Sequence, residues 1–409
     1  MSQTRNKKRE VYLDYAATTP VDPRVLKAML PYFGEKFGNP SSIHLKGQEA
    51  RAEIEKARKK VADVLNCSSR EIYFTGTTTT SNNLAILGTA RVAKKAGWGN
   101  HLITSEIEHH AVLDTYQALE KEGFDLTVLP VSKLGLIDPK EVKKAMTDKT
   151  IFVSVMYANN EVGTIQPIQE IGTEIQKRKG AKKNYPYLHT DAATVVDYLQ
   201  LDVKKLGVDL MTLGAHKFGG PKGIGLLYVR DGVKIEPITY GGHHERGLWP
   251  GTESVPLIIG LTKALELAAK ERGKMVLQVA KLRDKLIKGV LGSVPNSQLS
   301  GHPSKRLPDI ASFIFKGVEG ESVLLMLSDQ GIAASSGSAC TSGELKPSHV
   351  LTAMGISPEA AHGSIRFSLG KKTTEEEIDY VLKVLPGVIK RLRLMAPNFN
   401  ANLKMQKSK

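Results

Sequence analysis

Short apolar runs alternate with amphipathic segments between residues 71 and 230 of the chain. Seven of these runs predict β-strands, because each is brief, rich in β-branched or aromatic residues and bounded by polar or turn residues. The runs are EIYFT from Glu71, HLITS from His101, LTVLPV from Leu126, IFVSVMYA from Ile151, YLHTDA from Tyr187, VDLMTLG from Val208 and IGLLYVR from Ile224. Helical patterns fill the gaps between them, which is typical of a parallel sheet covered by helices on both faces.

Helical spacing of apolar residues extends this pattern on both sides of the predicted sheet. Residues 48–65 place their apolar side chains mostly along one stripe, as an amphipathic helix requires. Asp22 and Pro23 form a suitable N-cap and first-turn pair for an earlier helix. A longer helical pattern occupies residues 257–282, and we interpret it as the bridge between two domains.

The C-terminal third predicts a smaller α+β unit, formed by IASFIF from Ile310, a helix over residues 320–330, IAASS from Ile332, SIRFSLG from Ser364 and a helix from Thr374. The predicted fold class is therefore α/β, with a mostly parallel sheet in a large domain of residues 16–265. Residues 1–15 and 266–409 are expected to form the small domain.

Composition excludes several classes of protein. The 409 residues include 41% hydrophobic residues, but no apolar run approaches the ~20 residues that span a bilayer, so no membrane span is expected. The net charge of +15 is diffuse and accompanies no RNA-binding or zinc-finger pattern, so nucleic acid is not expected as a partner. Two cysteines are too few for a disulfide framework or a zinc cluster, which favours the reducing cytoplasm and no metal.

Two polar residues stand at the ends of neighbouring predicted strands. Asp191 ends YLHTDA, and Lys217 follows VDLMTLG in AHKFGGPKG. Ligands bind at the carboxyl ends of strands in open α/β sheets. A lysine there can hold pyridoxal 5′-phosphate (PLP) covalently, and an aspartate can pair with its protonated pyridine nitrogen. Taken singly, a surface lysine beside a glycine-rich turn and a helix-capping aspartate would look the same.

Motifs along nearly the whole chain resemble the cysteine desulfurases of the NifS/IscS-like class, which are PLP enzymes of the aspartate aminotransferase fold. They occur in the order of that family: LDYAATTPVDPRVLKAML, FGNPSSIH, EHHAVLD, NNEVGTIQPI, HTDAA, AHKFGGPKGIG, GGHHERG, VEGES, SSGSACTS, GSIRFSLG and TTEEEIDY. Any one string can arise by chance, but their collinearity is specific. The resemblance implies a PLP-binding large domain and a small domain that carries a catalytic cysteine.

The resemblance also implies roles for individual residues. Lys217 would hold the cofactor and Asp191 would pair with its ring nitrogen. His109 would stack on the ring and transfer protons, although a histidine that starts a helix in a satisfied hydrogen bond is the plainer alternative. Asn160 would lie near the phenolic oxygen and the substrate carboxylate. Arg366 would bind that carboxylate, although alternation within its strand also suits an ion-pair partner.

Further residues are implied at the cofactor. The backbone amides of Thr78 and Thr79 would bind the phosphate where EIYFT turns into a helix expected to begin at Ser81, and His216 would assist. Thr194 would lie near the phenolic oxygen. Thr252 would reach the phosphate of the neighbouring subunit, which implies a homodimer with shared active sites.

Seven positions depart from the family pattern around this cofactor, namely Gly76, Thr77, Thr78, Thr80, Thr194, Gly214 and Trp249. Two explanations are open: threonine hydroxyls replace the hydrogen-bond donors that the family has at these positions, or the cofactor is bound more weakly. We expect that the threonine hydroxyls replace the donors. On that basis, returning serine to position 214 or glutamine to position 194 should strengthen cofactor binding.

Cys340 lies in a stretch of small and polar residues, SSGSACTSGELKPS, that predicts a loop rather than core. By the resemblance it is the catalytic cysteine, which takes sulfur from L-cysteine as a persulfide and delivers it to an acceptor protein for iron–sulfur cluster assembly or thiolation. Cys67, outside every motif, is expected to be structural. Alternative functions are selenocysteine lyase, a weakly active sulfur-transfer scaffold or a basic RNA-associated protein.

Overall fold

A seven-stranded sheet lies at the centre of the computed structural model, which describes residues 10–179, 185–337 and 347–395. In chain order the strands of these residues are β1 (Val11–Tyr12), β2 (Ile72–Thr75), β3 (His101–Ser105), β4 (Asp125–Leu129), β5 (Thr150–Ser154), β6 (Tyr187–Asp191), β7 (Leu210–Gly214), β8 (Gly225–Val229), β9 (Ser297–Leu299), β10 (Ile310–Phe315), β11 (Ile332–Ala333) and β12 (Ser364–Ser368). The central sheet has the order β2-β8-β7-β6-β5-β3-β4.

The central sheet is mostly parallel, as predicted, and contains all seven predicted strands. Only β8 runs against its neighbours, pairing antiparallel with both β2 and β7. The other six strands therefore end at the same edge. Strands β5 to β8 are fully buried, as expected for a sheet covered on both faces.

Helices cover both faces of the sheet and form much of the second unit. The α-helices of the described residues are α1 (Pro23–Met29), α2 (Leu45–Leu65), α3 (Thr78–Lys95), α4 (His110–Lys121), α5 (Pro139–Ala145), α6 (Ile168–Lys179), α7 (Val203–Leu206), α8 (Val255–Ser293), α9 (Gly320–Asp329), α10 (His349–Ala353), α11 (Pro358–His362) and α12 (Glu375–Met395). None of them combines the length and the apolar character needed to cross a lipid bilayer.

Helix α3 begins three residues earlier than predicted, at Thr78 rather than Ser81. The side chain of Thr77 accepts a hydrogen bond from the Thr80 backbone N–H, and the Thr80 side chain in turn accepts from the Thr77 N–H. This reciprocal pair is a capping box. The threonine run therefore belongs to the helix start and not to the preceding loop.

Two apolar cores succeed each other along α8. The first half of the helix, through Ala268, packs with α2 and the sheet, whereas its second half, from Met275, packs with β10, β12 and α12. Val11 and Leu13 join this second core from the other end of the chain. This change of core supports the division into residues 16–265 and residues 1–15 with 266–409, which we retain as a proposal.

A buried ion pair connects α2 to β2. The guanidinium of Arg58 donates two hydrogen bonds of 2.8 Å to the carboxylate of Glu245, which also accepts the backbone N–H of Phe74 at 2.9 Å. Both charged side chains are nearly inaccessible to solvent. Glu245 itself has a left-handed backbone (φ +47°), a conformation that a non-glycine residue adopts only when its contacts compensate.

Glu245→Ala should lower the free energy of unfolding by about 3–5 kcal/mol, because the buried guanidinium of Arg58 loses its buried partner and keeps only the exposed carboxylate of Glu55, at 3.1 Å. Urea denaturation measures the change. Glu122→Ala breaks an ion pair with Arg91 that is more than one-third exposed and serves as the control, with an expected loss below about 1 kcal/mol. Equal losses in the two variants would contradict the interpretation.

Candidate active site

Asp191 lies at the carboxyl end of β6 and is almost fully buried. Its Oδ2 accepts a hydrogen bond of 2.7 Å from Nδ2 of Asn82, and its Oδ1 accepts the backbone N–H of Ala193 at 2.9 Å. Oδ1 of Asn82 accepts a 2.6 Å bond from the hydroxyl of Thr212 in β7. The carboxylate is therefore fixed in orientation by α3 and β7 together.

Lys217 follows β7 at the same edge, in a short 3-10 turn over Ala215–Lys217. Its Nζ donates to the backbone carbonyl oxygens of Ala16 and Ala17, at 2.5 and 2.9 Å. The preceding His216 has its Nδ1 3.2 Å from Oγ1 of Thr18. Burial, and then the charge of Lys217, lowers the pKa of His216 to about 4, so this imidazole is neutral near pH 7.

Arg366 projects from β12 and reaches the same N-terminal turn. One Nη donates to Oδ1 of Asp14 at 2.9 Å, and the other donates to the backbone oxygen of Asn160 at 3.0 Å. Arg366 is 5% exposed, and its Nε is buried with no hydrogen-bond partner among the described residues. A buried guanidinium with one unoccupied donor suits a carboxylate ligand better than a surface ion pair.

His109 caps the start of α4, and its ring is close enough to Asp191 and Lys217 to be influenced by their charges. Its Nδ1 accepts the backbone N–H of Ala111 at 3.0 Å at the start of α4, which places the ring proton on Nε2. Burial lowers the pKa of His109, while the charge of Asp191 opposes the shift and that of Lys217 adds to it. The helix-start interpretation is thus confirmed for Nδ1, and the stacking of this ring on the cofactor stays a prediction.

The threonine-rich turn brings α3 to this edge. Thr77 and Thr80 are used in the capping box, whereas Oγ1 of Thr78 is buried and has no partner within the described ranges. A Cβ at position 214 would overlap that oxygen. A serine at position 214 would therefore require the Thr78 side chain to move, and its effect on cofactor binding stays a prediction.

Thr194, Thr252 and Cys340 are the remaining residues predicted for the site. Thr194 is partly buried and makes a long 3.4 Å hydrogen bond to the oxygen of Ala158. Thr252 is exposed and lines a cavity of about 170 Å³ together with Gly76 and Trp249. Cys340 lies outside the described residues.

Cys67 packs against the large apolar core at the end of α2. Burial raises the pKa of its thiol to about 12, so it remains protonated near neutral pH and is a poor nucleophile.

Sequence reasoning missed three residues that position the site, namely Asn82, Asp14 and Glu108. Asn82 stands in the SNN triplet of α3 and Asp14 in the LDYAATT motif, so both lay within recognisable strings. Glu108 precedes His109 directly; its carboxylate accepts hydrogen bonds of 2.8 Å from Ser105 and from the Met156 backbone. Asn82 and Asp14 contact residues distant in sequence, and Glu108 contacts the distant Met156 as well as the nearby Ser105, so no local pattern indicates these roles.

Comparisons with known proteins agree with this geometry. The family profile described as Aminotransferase class-V matches residues 11–381. The chain is 51% identical to Cysteine desulfurase IscS of Methanosarcina thermophila, over 96% of this chain and 95% of that protein. It is 46% identical to the human Cysteine desulfurase, over 95% and 84% of the two chains. A solved NifS-like protein superposes with a TM-score of 0.87 at 39% identity, covering 94% of this chain and all of that one.

The chain belongs to the cysteine desulfurases of the class-V aminotransferase family. The cofactor of this family, PLP, suits the residues at the sheet edge. A fixed carboxylate is available for a protonated ring nitrogen, and a lysine and a neutral histidine lie on the following turn. The buried, unpartnered Thr78 hydroxyl lies at the first residue of α3, where backbone amides favour an anion.

Glu108→Gln should flatten the pH dependence of stability in this desulfurase. Burial raises the pKa of Glu108 to about 8, so its protonated form stabilises the folded chain below about pH 4.5 and that contribution is lost as pH rises towards 8. A glutamine does not ionise. We expect the free energy of unfolding of the wild type, relative to the variant, to fall between pH 5 and 8 by up to ~1.4 kcal/mol per pH unit.

Urea denaturation at pH 5, 6, 7 and 8 measures this difference. Glu120→Gln, at an exposed position of α4, controls for the exchange of carboxylate for amide. Parallel pH profiles of the wild type and Glu108→Gln would overturn the prediction.

Proposed function

We propose that the protein converts L-cysteine to L-alanine and transfers the sulfur to Cys340 as a persulfide. One observation carries the proposal: the turn from Asp14 to Ala17 contacts Lys217 through its carbonyl oxygens and Arg366 through the Asp14 carboxylate. The amine that would hold the cofactor and the guanidinium that would bind the substrate carboxylate are thus held by one short segment. This arrangement suits an amino-acid substrate, whose amine would meet the lysine-bound cofactor while its carboxylate meets the guanidinium.

Each residue has a role that its contacts support. Arg366, with its unoccupied Nε, binds the carboxylate of the substrate, and Asn160 lies beside it. Asp191 keeps the ring nitrogen protonated, because its carboxylate is buried and cannot turn away. Bound PLP supplies an electron sink for negative charge at the α carbon. Lys217 and the Nε2 side of His109 hold and move the proton at that carbon.

The sulfur-transfer step requires a thiolate outside the described residues. The Cys340 thiolate attacks the sulfur of the substrate; the S–S bond forms as the C–S bond breaks, and the electron pair remains with the three-carbon product, which becomes alanine on protonation. The described chain on the N-terminal side supports this assignment. Ser335, five residues before Cys340 in the sequence, pairs with the backbone of Arg366.

Anaerobic incubation with L-cysteine and dithiothreitol tests the function by measuring alanine and sulfide together. The wild type should form them in equal amounts. Cys340→Ser should retain PLP absorbance but form no persulfide detectable by mass spectrometry, since a hydroxyl cannot accept the sulfur. Lys217→Ala should lose the visible absorbance of the covalently held cofactor.

Cys67→Ser is the matched control, because this thiol is protonated and packed against the core. It should form alanine at the wild-type rate. A persulfide on Cys67, or alanine production by Cys340→Ser at the wild-type rate, would reject the assignment. A wild type that binds PLP without forming alanine would instead support the scaffold alternative.

We further propose a homodimer in which Thr252 approaches the phosphate of the partner subunit. Residues 26–45 expose a cluster of large apolar side chains, Leu26, Leu30, Phe33, Phe37, Ile43 and Leu45, with exposures from 48% to 91%. His244 joins this cluster to the segment of Thr252, because its ring contacts Ser41 at 3.3 Å and the Gly251 backbone N–H at 3.2 Å. A second copy of the chain would bury this face and bring Thr252 into the interface.

Phe37→Asp should shift the protein from dimer to monomer, because it replaces one of these exposed apolar side chains with a charge. Sedimentation equilibrium measures the mass, and PLP titration should weaken in parallel if Thr252 completes the partner's site. Leu325→Asp, at an equally exposed position on α9, is the control and should leave the mass unchanged. A monomeric wild type would reject the dimer without affecting the assignment of Lys217.

A sulfur-acceptor protein is the remaining partner that we propose, in iron–sulfur cluster assembly or thiolation. The Cys340 persulfide must be passed to a thiol, which requires a reducing compartment such as the cytoplasm.

A further inference from the structure

The hydroxyl of Thr78 is unusual among the threonines of its turn. Thr77 and Thr80 satisfy each other in the capping box, and Thr79 is exposed to solvent. Oγ1 of Thr78 is buried and has no hydrogen-bond partner among residues 10–179, 185–337 and 347–395. Since a buried hydroxyl without a partner destabilises a protein, such a group calls for an explanation.

Gly214 explains why the hydroxyl can lie there. A Cβ at position 214 would overlap Oγ1 of Thr78 and would lie 3.8 Å from Cδ2 of His216. The backbone of Gly214 does not need glycine, because its φ of −132° and ψ of 117° are ordinary extended values. Glycine is therefore required at position 214 for space alone, and the space is taken by the Thr78 hydroxyl.

The position of this hydroxyl indicates its ligand. Thr78 is the first residue of α3, an 18-residue helix whose N-terminal amides attract an anion, and the His216 ring lies close to the same point. We propose that Thr78 Oγ1 donates a hydrogen bond to the phosphate of the cofactor, and that Thr78 and Gly214 form a matched pair in which the hydroxyl comes from the helix and not from the strand end. This proposal rests on the proposed function, because it requires PLP at the sheet edge.

Thr78→Val tests the hydroxyl with little change in shape. Apoprotein is titrated with PLP and, separately, with pyridoxal, which has no phosphate; absorbance and fluorescence report binding. The dissociation constant for PLP should rise about ten- to hundredfold, because a hydrogen bond to a charged group is lost. Binding of pyridoxal should be unchanged. Thr78→Ser, which keeps the hydroxyl, should restore PLP affinity to within a few-fold of the wild type.

Thr89→Val is the matched control. Thr89 lies on the same helix, eleven residues or about 16 Å further along, and its Oγ1 is also buried without a partner in the described chain. This variant should bind PLP and pyridoxal as the wild type does. Equal PLP affinity of Thr78→Val and the wild type would overturn the proposal, as would an equal loss of PLP and pyridoxal binding.

The matched pair has a second test, which compares the melting temperature of the apoprotein with its affinity for PLP. Gly214→Ser alone should lower the melting temperature of the apoprotein, because two side chains compete for one space. Thr78→Ala with Gly214→Ser should recover both the melting temperature and most of the PLP affinity. Additive effects of the two substitutions would contradict the pairing. A wild type that binds no PLP would reject the proposed function itself, a result distinct from either failure described here.

Discussion

A buried chain of three side chains holds the active site together. The hydroxyl of Thr212 donates to Asn82, and Asn82 donates to Asp191, over distances of 2.6 and 2.7 Å. The three residues belong to β7, which precedes Lys217, to α3, which begins at the threonine-rich turn, and to β6, which ends in Asp191. Because all three groups are buried, breaking one bond leaves an unsatisfied polar atom, so the relative orientation of these elements is strongly fixed.

The N-terminal segment of the chain connects the edge of the central sheet to β12. Its turn at residues 14–17 lies between the two units and contacts Lys217 on one side and Arg366 on the other. The two charged side chains come from segments that pack into different cores: Ala215 and Phe218, beside Lys217, belong to the first core, and the residues on either side of Arg366 belong to the second. Packing between these two cores therefore sets the distance between Lys217 and Arg366.

The threonine-rich turn is best understood as a redistribution of donors around the cofactor. Two of its hydroxyls stabilise the helix start, and a third is placed against a glycine that has room for it. Thr78 and Gly214 both depart from the family pattern and, in the sequence, suggest a loss of contacts to the cofactor. In the structure the two residues are adjacent. This is why restoring one family residue at position 214 is expected to disturb the site, whereas exchanging the pair is expected to preserve it.

The sequence by itself indicated the seven strands of the central sheet, the long helix, the family and the placement of Asp191 and Lys217 at strand ends. The strands, the helix and the strand-end positions depend on periodicity and on the rule that parallel strands end at one edge, whereas the family was indicated by the resemblance of collinear motifs. The predicted start of α3 was three residues too late, because several adjacent threonines can each cap a helix and the local pattern does not distinguish them. Only the tertiary structure decided that Asn82 fixes Asp191 and that Thr78 excludes a side chain at position 214. Such contacts join residues more than 100 positions apart, and their distances depend on how complete elements pack.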